Sequence, residues 1–176
     1  MGGIIVYGGD RGHGKCIVDS IRQLNDKTDI LIADSIEEAD RLFSNGYNNI
    51  IVDFAESLTD RKNLILKLKE KGFTFQTVID PSAQVSATAE IGDGVYVGKA
   101  VTMQPEAKVM DYAIIDTGTV IDVGAVVGSY TRIVTGGVIG EGATVGDMCY
   151  VDARTVVGAQ TKIPDGTKTE PASVYN

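Results

Sequence analysis

From residue 79 to residue 163 the chain places an aliphatic side chain at every sixth position. The series runs Ile79, Val85, Ile91, Val97, Met103, Val109, Ile115, Ile121, Val127, Ile133, Ile139, Val145, Val151, Val157 and Ile163, with no insertion and no skip. Four residues after each stands a small or β-branched residue, among them Ala83, Ala113, Thr119, Thr131, Gly137, Cys149 and Thr167. An unbroken period of six predicts a parallel β-helix, in which each hexapeptide forms one face of a coil and its aliphatic residue points inward. Three faces per coil give about five coils. Because each coil touches only its neighbours, the two ends of such a stack need protection.

Before residue 79 the pattern changes. Residues 3–7 read as a short apolar strand, followed by the run Gly8-Gly9-Asp10-Arg11-Gly12-His13-Gly14 and a helical pattern over 15–24. Strands at 29–33, 49–53 and 73–79 then alternate with helices at 36–45 and 60–71, which predicts a small parallel sheet with right-handed crossovers, a Rossmann-like half-domain. The expected organisation is α/β followed by β: residues 1–78 as the Rossmann-like domain, 79–168 as the β-helix, and 169–176 as a tail outside the repeat, which the aliphatic series leaves after Ile163.

In an open parallel sheet the turn after the first strand lies at the carboxyl edge, where ligands bind. Glycines there let the backbone approach a ligand, and the free N–H groups of the following helix favour a phosphate. The spacing departs from the dinucleotide fingerprint and no Walker lysine–serine pair follows, so a tight turn without a ligand is the competing reading. His13 is the single histidine of the 176 residues. Within a glycine loop at a helix start it reads as a ligand contact or a backbone brace. Lys15 reads as a phosphate partner or as a solvated first-turn lysine.

Composition narrows the partners. A formal net charge of −8 argues against nucleic acid, whose phosphates would require a basic face. The N-terminus lacks a basic region followed by an apolar run and no stretch reaches membrane-spanning length, so a cytoplasmic protein without a membrane span is expected. Cys16 and Cys149 fall one in each half with no partner at metal-ligand spacing, so neither a metal site nor a disulfide framework is expected. Cys149 occupies a small inward position of the repeat and reads as compact core filler.

The loop from Tyr7 to Gly14, the passage from Gly72-Phe73 through Val78-Ile79-Asp80-Pro81-Ser82-Ala83, and the uninterrupted hexads together resemble the bacterial nucleotide-sugar acetyltransferases of the sialic-acid O-acetyltransferase and UDP-4-amino-sugar N-acetyltransferase type. The resemblance covers nearly the whole chain. It implies a left-handed β-helix, a homotrimer, and acetyl-CoA bound between neighbouring prisms. It also implies that Gly8, Gly9, Gly12, His13, Gly14 and Lys15 hold the phosphates of a nucleotide sugar, that Asp34 contacts the nucleoside, and that Arg61 contributes from a loop in which Glu56-Ser57-Leu58 stand where the family has glycine and asparagines.

Counted along the hexads, the family's general-base histidine falls two residues after Ile121, on Val123, and its acidic neighbour falls on Gly124. A second family histidine falls on Arg132, and a third on Asp80. Valine has nothing with which to take a proton. Transfer to a sugar amine is less demanding than transfer to a hydroxyl, since positioning an unprotonated amine against a thioester supplies much of the rate. Asp122 and Asp116 are the acidic candidates for the proton, against a reading as turn aspartates. Arg132 is the candidate for an acidic substrate or a coenzyme phosphate. Two readings of function therefore stand: acetyl-CoA-dependent transfer to a nucleotide-linked amino sugar without a histidine base, or a catalytically degenerate homologue that binds a nucleotide sugar as a sensor or regulator, or serves as a trimeric scaffold.

Overall fold

The computed structural model describes residues 3–53 and 57–176. Two compact units divide the chain, Met1–Val78 and Ile79–Asn176.

In the first unit, strands β1 (Ile4–Tyr7), β2 (Ile30–Ala33), β3 (Asn49–Val52) and β4 (Thr74–Phe75) form one parallel sheet in the order β2-β1-β3-β4. Helices α1 (Gly14–Leu24), α2 (Ile36–Ser44) and α3 (Leu58–Glu70) connect them. Each helix is bounded by local chemistry. Ser35 and Ser57 cap α2 and α3 by accepting hydrogen bonds from the backbone N–H of Glu38 and Asp60, which satisfies first-turn donors that have no partner inside a helix. Gly72 closes α3 in the left-handed region at φ +95°, and the N–H of Phe73 returns to the carbonyl of Leu68, a Schellman ending that only glycine adopts without strain. Buried Ile5, Val6, Ile50, Ile51, Ile17, Ile65 and Leu68 fill the layer between sheet and helices. The segment 73–79, expected as one strand, is two. Gln76 donates its N–H to Ile50 and its side-chain amide to Asn49, ending the first sheet, and Val78–Ile79 opens the β-helix.

The second unit is a parallel β-solenoid of two-residue strands stacked in three sheets. One sheet carries Tyr96–Val97, Ile114–Ile115, Arg132–Ile133 and Tyr150–Val151. A second runs from Gln84–Val85 through Val120–Ile121 to Val174–Tyr175, and the third from Glu90–Ile91 to Lys162–Ile163. Residues eighteen apart pair in register, as Val120 with Val138 and Ile121 with Ile139. The predicted aliphatic residues from Val97 to Val157 are all but fully buried and form one continuous core.

Residues 169–176, expected as a tail, instead continue the coil. Val174–Tyr175 pairs with Val156–Val157, and Tyr150 bridges to Lys168. The hexad count carries on to Thr169, which is buried, and Tyr175, which packs on the core. These rungs escape an aliphatic search because Thr169 points inward with its hydroxyl satisfied: Oγ1 accepts the N–H of Asp152 and lies 3.2 Å from Thr155 Oγ1.

Every sixth residue from Gly94 to Ala172 lies in the left-handed region, and these corner residues turn the chain from one face to the next. Eight of them are not glycine: Ala100, Glu106, Tyr112, Tyr130, Met148, Arg154, Gln160 and Ala172. At roughly 1–2 kcal/mol for each L-residue held there, the corners are sites of stored strain that ladder hydrogen bonds and core burial outweigh. Among the described residues no helix is long and apolar enough to cross a membrane.

Candidate functional site

The order β2-β1-β3-β4 makes the carboxyl ends of β1 and β3 a topological switch point, since the first connection leads from β1 to β2 on one side and the next leads from β2 to β3 on the other. Three glycines set the loop there. Gly8 takes φ +82°, a value open to few other residues. A Cβ on Gly9 would come within 2.7 Å of Ile32 Cδ1 and 2.9 Å of Val6 Cγ1, and one on Gly14 within 2.0 Å of the Gly8 carbonyl oxygen. Gly9 and Gly14 therefore press the loop flat against the sheet edge and start α1 immediately above it. Gly12 sits at φ +37° with open space where a side chain would be.

Around this loop the side chains are already organised. His13, the N-cap of α1, makes no capping bond with its ring. Its Nδ1 lies 2.6 Å from Oδ1 of Asp53, the residue following β3, and both side chains are largely removed from solvent. Arg11 donates to Asp34 at 3.1 Å, and Asp34 in turn has its N–H bonded to the Glu38 carboxylate. Lys15 is exposed on the first turn of α1, which unlike the first turns of α2 and α3 contains no acid. Gly8, Gly9, Gly12, His13, Gly14, Lys15 and Asp34 are thus gathered at one edge.

Arg61 is not presented there. It is 1% exposed, and its guanidinium donates from Nε and Nη2 to the carbonyl of Val52 and from Nε to that of Asp53. This placement corrects its expected role as a ligand contact. A helix residue one turn into α3 lies directly behind the end of β3, and its Nε and Nη2 donors satisfy carbonyls at the point where the chain leaves the sheet. Of the neighbouring Glu56-Ser57-Leu58, Glu56 lies outside the described residues, and Ser57 is the cap of α3. Two residues of this edge were missed in the sequence reading, Asp53 and Tyr7. Burial raises the Tyr7 hydroxyl pKa, Arg11 pulls it down, and Asp34, Glu37 and Glu38 push it up. Its position as the last residue of the first strand was the available signal.

On the β-helix, Val123 stands at a corner and is 40% exposed. Its own N–H is bonded at 2.7 Å to the carboxylate of Asp122, which acts as a turn aspartate. Asp116 and Arg132 are brought together, with Arg132 Nη2 2.8 Å and Nε 3.1 Å from Asp116 Oδ2 and side chains only 3% and 11% exposed. They neutralise each other on a different sheet from Asp122. Neither is presented as a solvent-facing acid or cation. Asp80 is buried and accepts from the N–H and hydroxyl of Ser82.

The acid nearest in register to Val123 is Glu141, one coil further along the same corner. The carbonyl of Val123 accepts the N–H of Gly142, and the Glu141 side chain is exposed. A count of eighteen from Val123 would have found it. Cys149 is buried, with Sγ 3.1 Å from the Pro164 carbonyl, and desolvation raises its thiol pKa.

Among solved structures, a histidine-to-alanine variant of GDP-perosamine N-acetyltransferase from Caulobacter crescentus, in complex with CoA and GDP-perosamine, is similar to this chain with a TM-score of 0.65 and 26% identity, over 99% of this chain and 91% of that one. PerB from the same organism, also in complex with CoA and GDP-perosamine, gives 0.65 and 25% over 100% and 92%. The acetyltransferase domain of PglB from Neisseria gonorrhoeae shares the fold, with a TM-score of 0.73 at 22% identity over 94% of each chain. The first of these is an N-acetyltransferase of a nucleotide-linked amino sugar, of the kind that the loop and hexads resemble. No curated protein matches the sequence. Residues 73–175 match the family model described as GMPPB C-terminal domain; that match spans more than half of the chain, which belongs to this family.

Proposed function

We propose that this protein is an acetyl-CoA-dependent N-acetyltransferase acting on a nucleotide-linked amino sugar. The observation that carries the reading is the likeness over 99% of the chain, through both units, to an N-acetyltransferase holding CoA and GDP-perosamine. The first unit is read as a Rossmann-like nucleotide-binding module, the second as a left-handed prism, and the working protein as a cytoplasmic homotrimer.

The edge after β1 fits a diphosphate. A glycine loop, the donors opening α1, Lys15 and an acid-free first turn together favour an anion. Asp34 would face the nucleoside, with Arg11 exchanging its carboxylate partner for a phosphate. In the chemical step the unprotonated amine of the sugar attacks the thioester carbonyl, a C–N bond forms, the C–S bond breaks, and coenzyme A leaves as a thiolate. The nitrogen's proton passes to Glu141 or to that thiolate. Proximity supplies most of the rate, so a carboxylate beside the corner is adequate where histidine is absent.

One observation favours the second reading, a nucleotide-sugar binder without transferase activity: the exposed residue at the expected base position is the apolar Val123. Incubation with acetyl-CoA and either GDP- or UDP-linked 4-amino sugars, followed by mass spectrometry, separates the two. A product heavier by one acetyl group sustains the transferase. Nucleotide-sugar binding by calorimetry with neither acetyl-CoA binding nor product replaces it with the binder.

A further inference from the structure

We infer that Asp53 is a positioning residue for His13, fixing the tautomer and orientation of the only imidazole in the protein toward a bound nucleoside diphosphate. This rests on the nucleotide reading of the glycine loop. The ring Nδ1 of His13 and Oδ1 of Asp53 are 2.6 Å apart, with side chains 18% and 7% exposed. A carboxylate only accepts, so the proton of this bond belongs to Nδ1. When the ring is neutral the opposite nitrogen, Nε2, is therefore an acceptor, suited to a ribose hydroxyl, and it donates to a phosphate oxygen only as the imidazolium; the ring plane is fixed in both states.

Asp53 is itself rigidly held. Its N–H donates to the Tyr7 carbonyl, and its own carbonyl accepts from Arg61 Nε, which also bonds the carbonyl of Val52. Two bonds, one to the Tyr7 carbonyl and one from a buried guanidinium, thus hold the Asp53 backbone at the switch point between β1 and β3. The residue after His13, Gly14, approaches Gly8 so closely that a Cβ there would lie 2.0 Å from the Gly8 carbonyl oxygen. The pair joins the loop after β1 to the end of β3 across 40 residues.

Because the chain contains a single histidine, two-bond 1H–15N correlation of the ligand-free protein reports this ring alone. The parent chain is expected to show the Nδ1-protonated tautomer when neutral, Asp53→Ala the Nε2-protonated form that free imidazole side chains prefer, and Asp53→Asn, which keeps an acceptor, the parent pattern. With GDP and UDP as probes, Asp53→Ala is expected to bind about tenfold more weakly, the equivalent of one oriented hydrogen bond. His13→Ala is expected to lose a similar factor, and the double variant no more than either alone.

An Nε2-protonated ring in the parent overturns the inference. So do losses that multiply in the double variant, which would mean that Asp53 acts independently of His13. If the parent binds neither nucleotide, the nucleotide reading falls and this role with it. If the parent and Asp53→Ala bind equally, this role alone falls.

Discussion

Threonine occupies several inward positions of the prism, and replacing two of them by valine should move stability in opposite directions. Thr119 is fully buried and its Oγ1 has no hydrogen-bond partner. Thr131 is equally buried, but its hydroxyl donates to the Gly146 carbonyl at 2.7 Å and accepts the N–H of Cys149 at 3.0 Å. Valine is nearly isosteric with threonine, so the change isolates the hydroxyl. An unsatisfied buried hydroxyl costs about 1–3 kcal/mol, and Thr119→Val should recover about 1 kcal/mol or more of this. Thr131→Val deletes two hydrogen bonds and strands the Cys149 N–H inside the core, a loss of about 2–3 kcal/mol. For a unit of this size each kcal/mol moves the midpoint by roughly 5 °C. Thermal unfolding followed by circular dichroism at one fixed protein concentration should therefore place the two variants more than about 10 °C apart, with the parent between them. If Thr119→Val melts below the parent, the buried hydroxyl is satisfied in a way that refutes this reasoning.

Gly14→Ala should lower GDP or UDP affinity at least about tenfold in calorimetry, because its Cβ cannot coexist with the Gly8 carbonyl, whereas Gly12→Ala meets only backbone strain of about 1 kcal/mol and should bind nearly as the parent. Arg61→Ala should cost about 2–3 kcal/mol in denaturant unfolding of the first unit, the value of charged hydrogen bonds to buried carbonyls; an unchanged midpoint would return Arg61 to the ligand. If the transferase reading holds, Glu141→Gln should reduce turnover about tenfold or more, at the low end of general-base effects, with little change in nucleotide affinity, and equal turnover would remove Glu141 from the proton's path. Thiol titration should find Cys16 reacting quickly and Cys149 only on unfolding. The raised folded-state pKa of Cys149 means that the unfolded thiol ionises first, so its contribution is complete below roughly pH 8.5 and stability falls as pH rises beyond that; a flat profile for the parent relative to Cys149→Ala would contradict the assignment.

The β-helix was legible because a fixed period leaves no freedom in register: once Ile79 points inward, so must Ile163. Legibility stopped where the inward residue was polar, at Thr169, or aromatic, at Tyr175, since hydrophobicity was the only mark followed. The left-handed corners were hidden for a related reason, because eight are occupied by residues such as Tyr112 and Met148 that are otherwise rare there. At the loop, local spacing located the glycines and His13. Asp53 was invisible because its partnership forms only when β3 lies beside β1. Arg61 was misassigned because sequence gives a residue's place on a helix but not whether the end of a neighbouring strand consumes its donors.

The corner residues also set a quantum for change in length. One full circuit of the prism takes eighteen residues, as the pairing of Val120 with Val138 shows, and removal of a whole circuit would leave every downstream side chain on its original face while shortening the stack by about 4.8 Å. A deletion of six would keep every aliphatic residue inward yet rotate the remainder by a third of a turn. Core and corners would survive, but a deletion between Asp116 and Arg132 would carry those partners to different faces. The prism is thus permissive of length change for its packing and exacting for anything displayed on its surface, so the composition of each face can drift only in whole circuits.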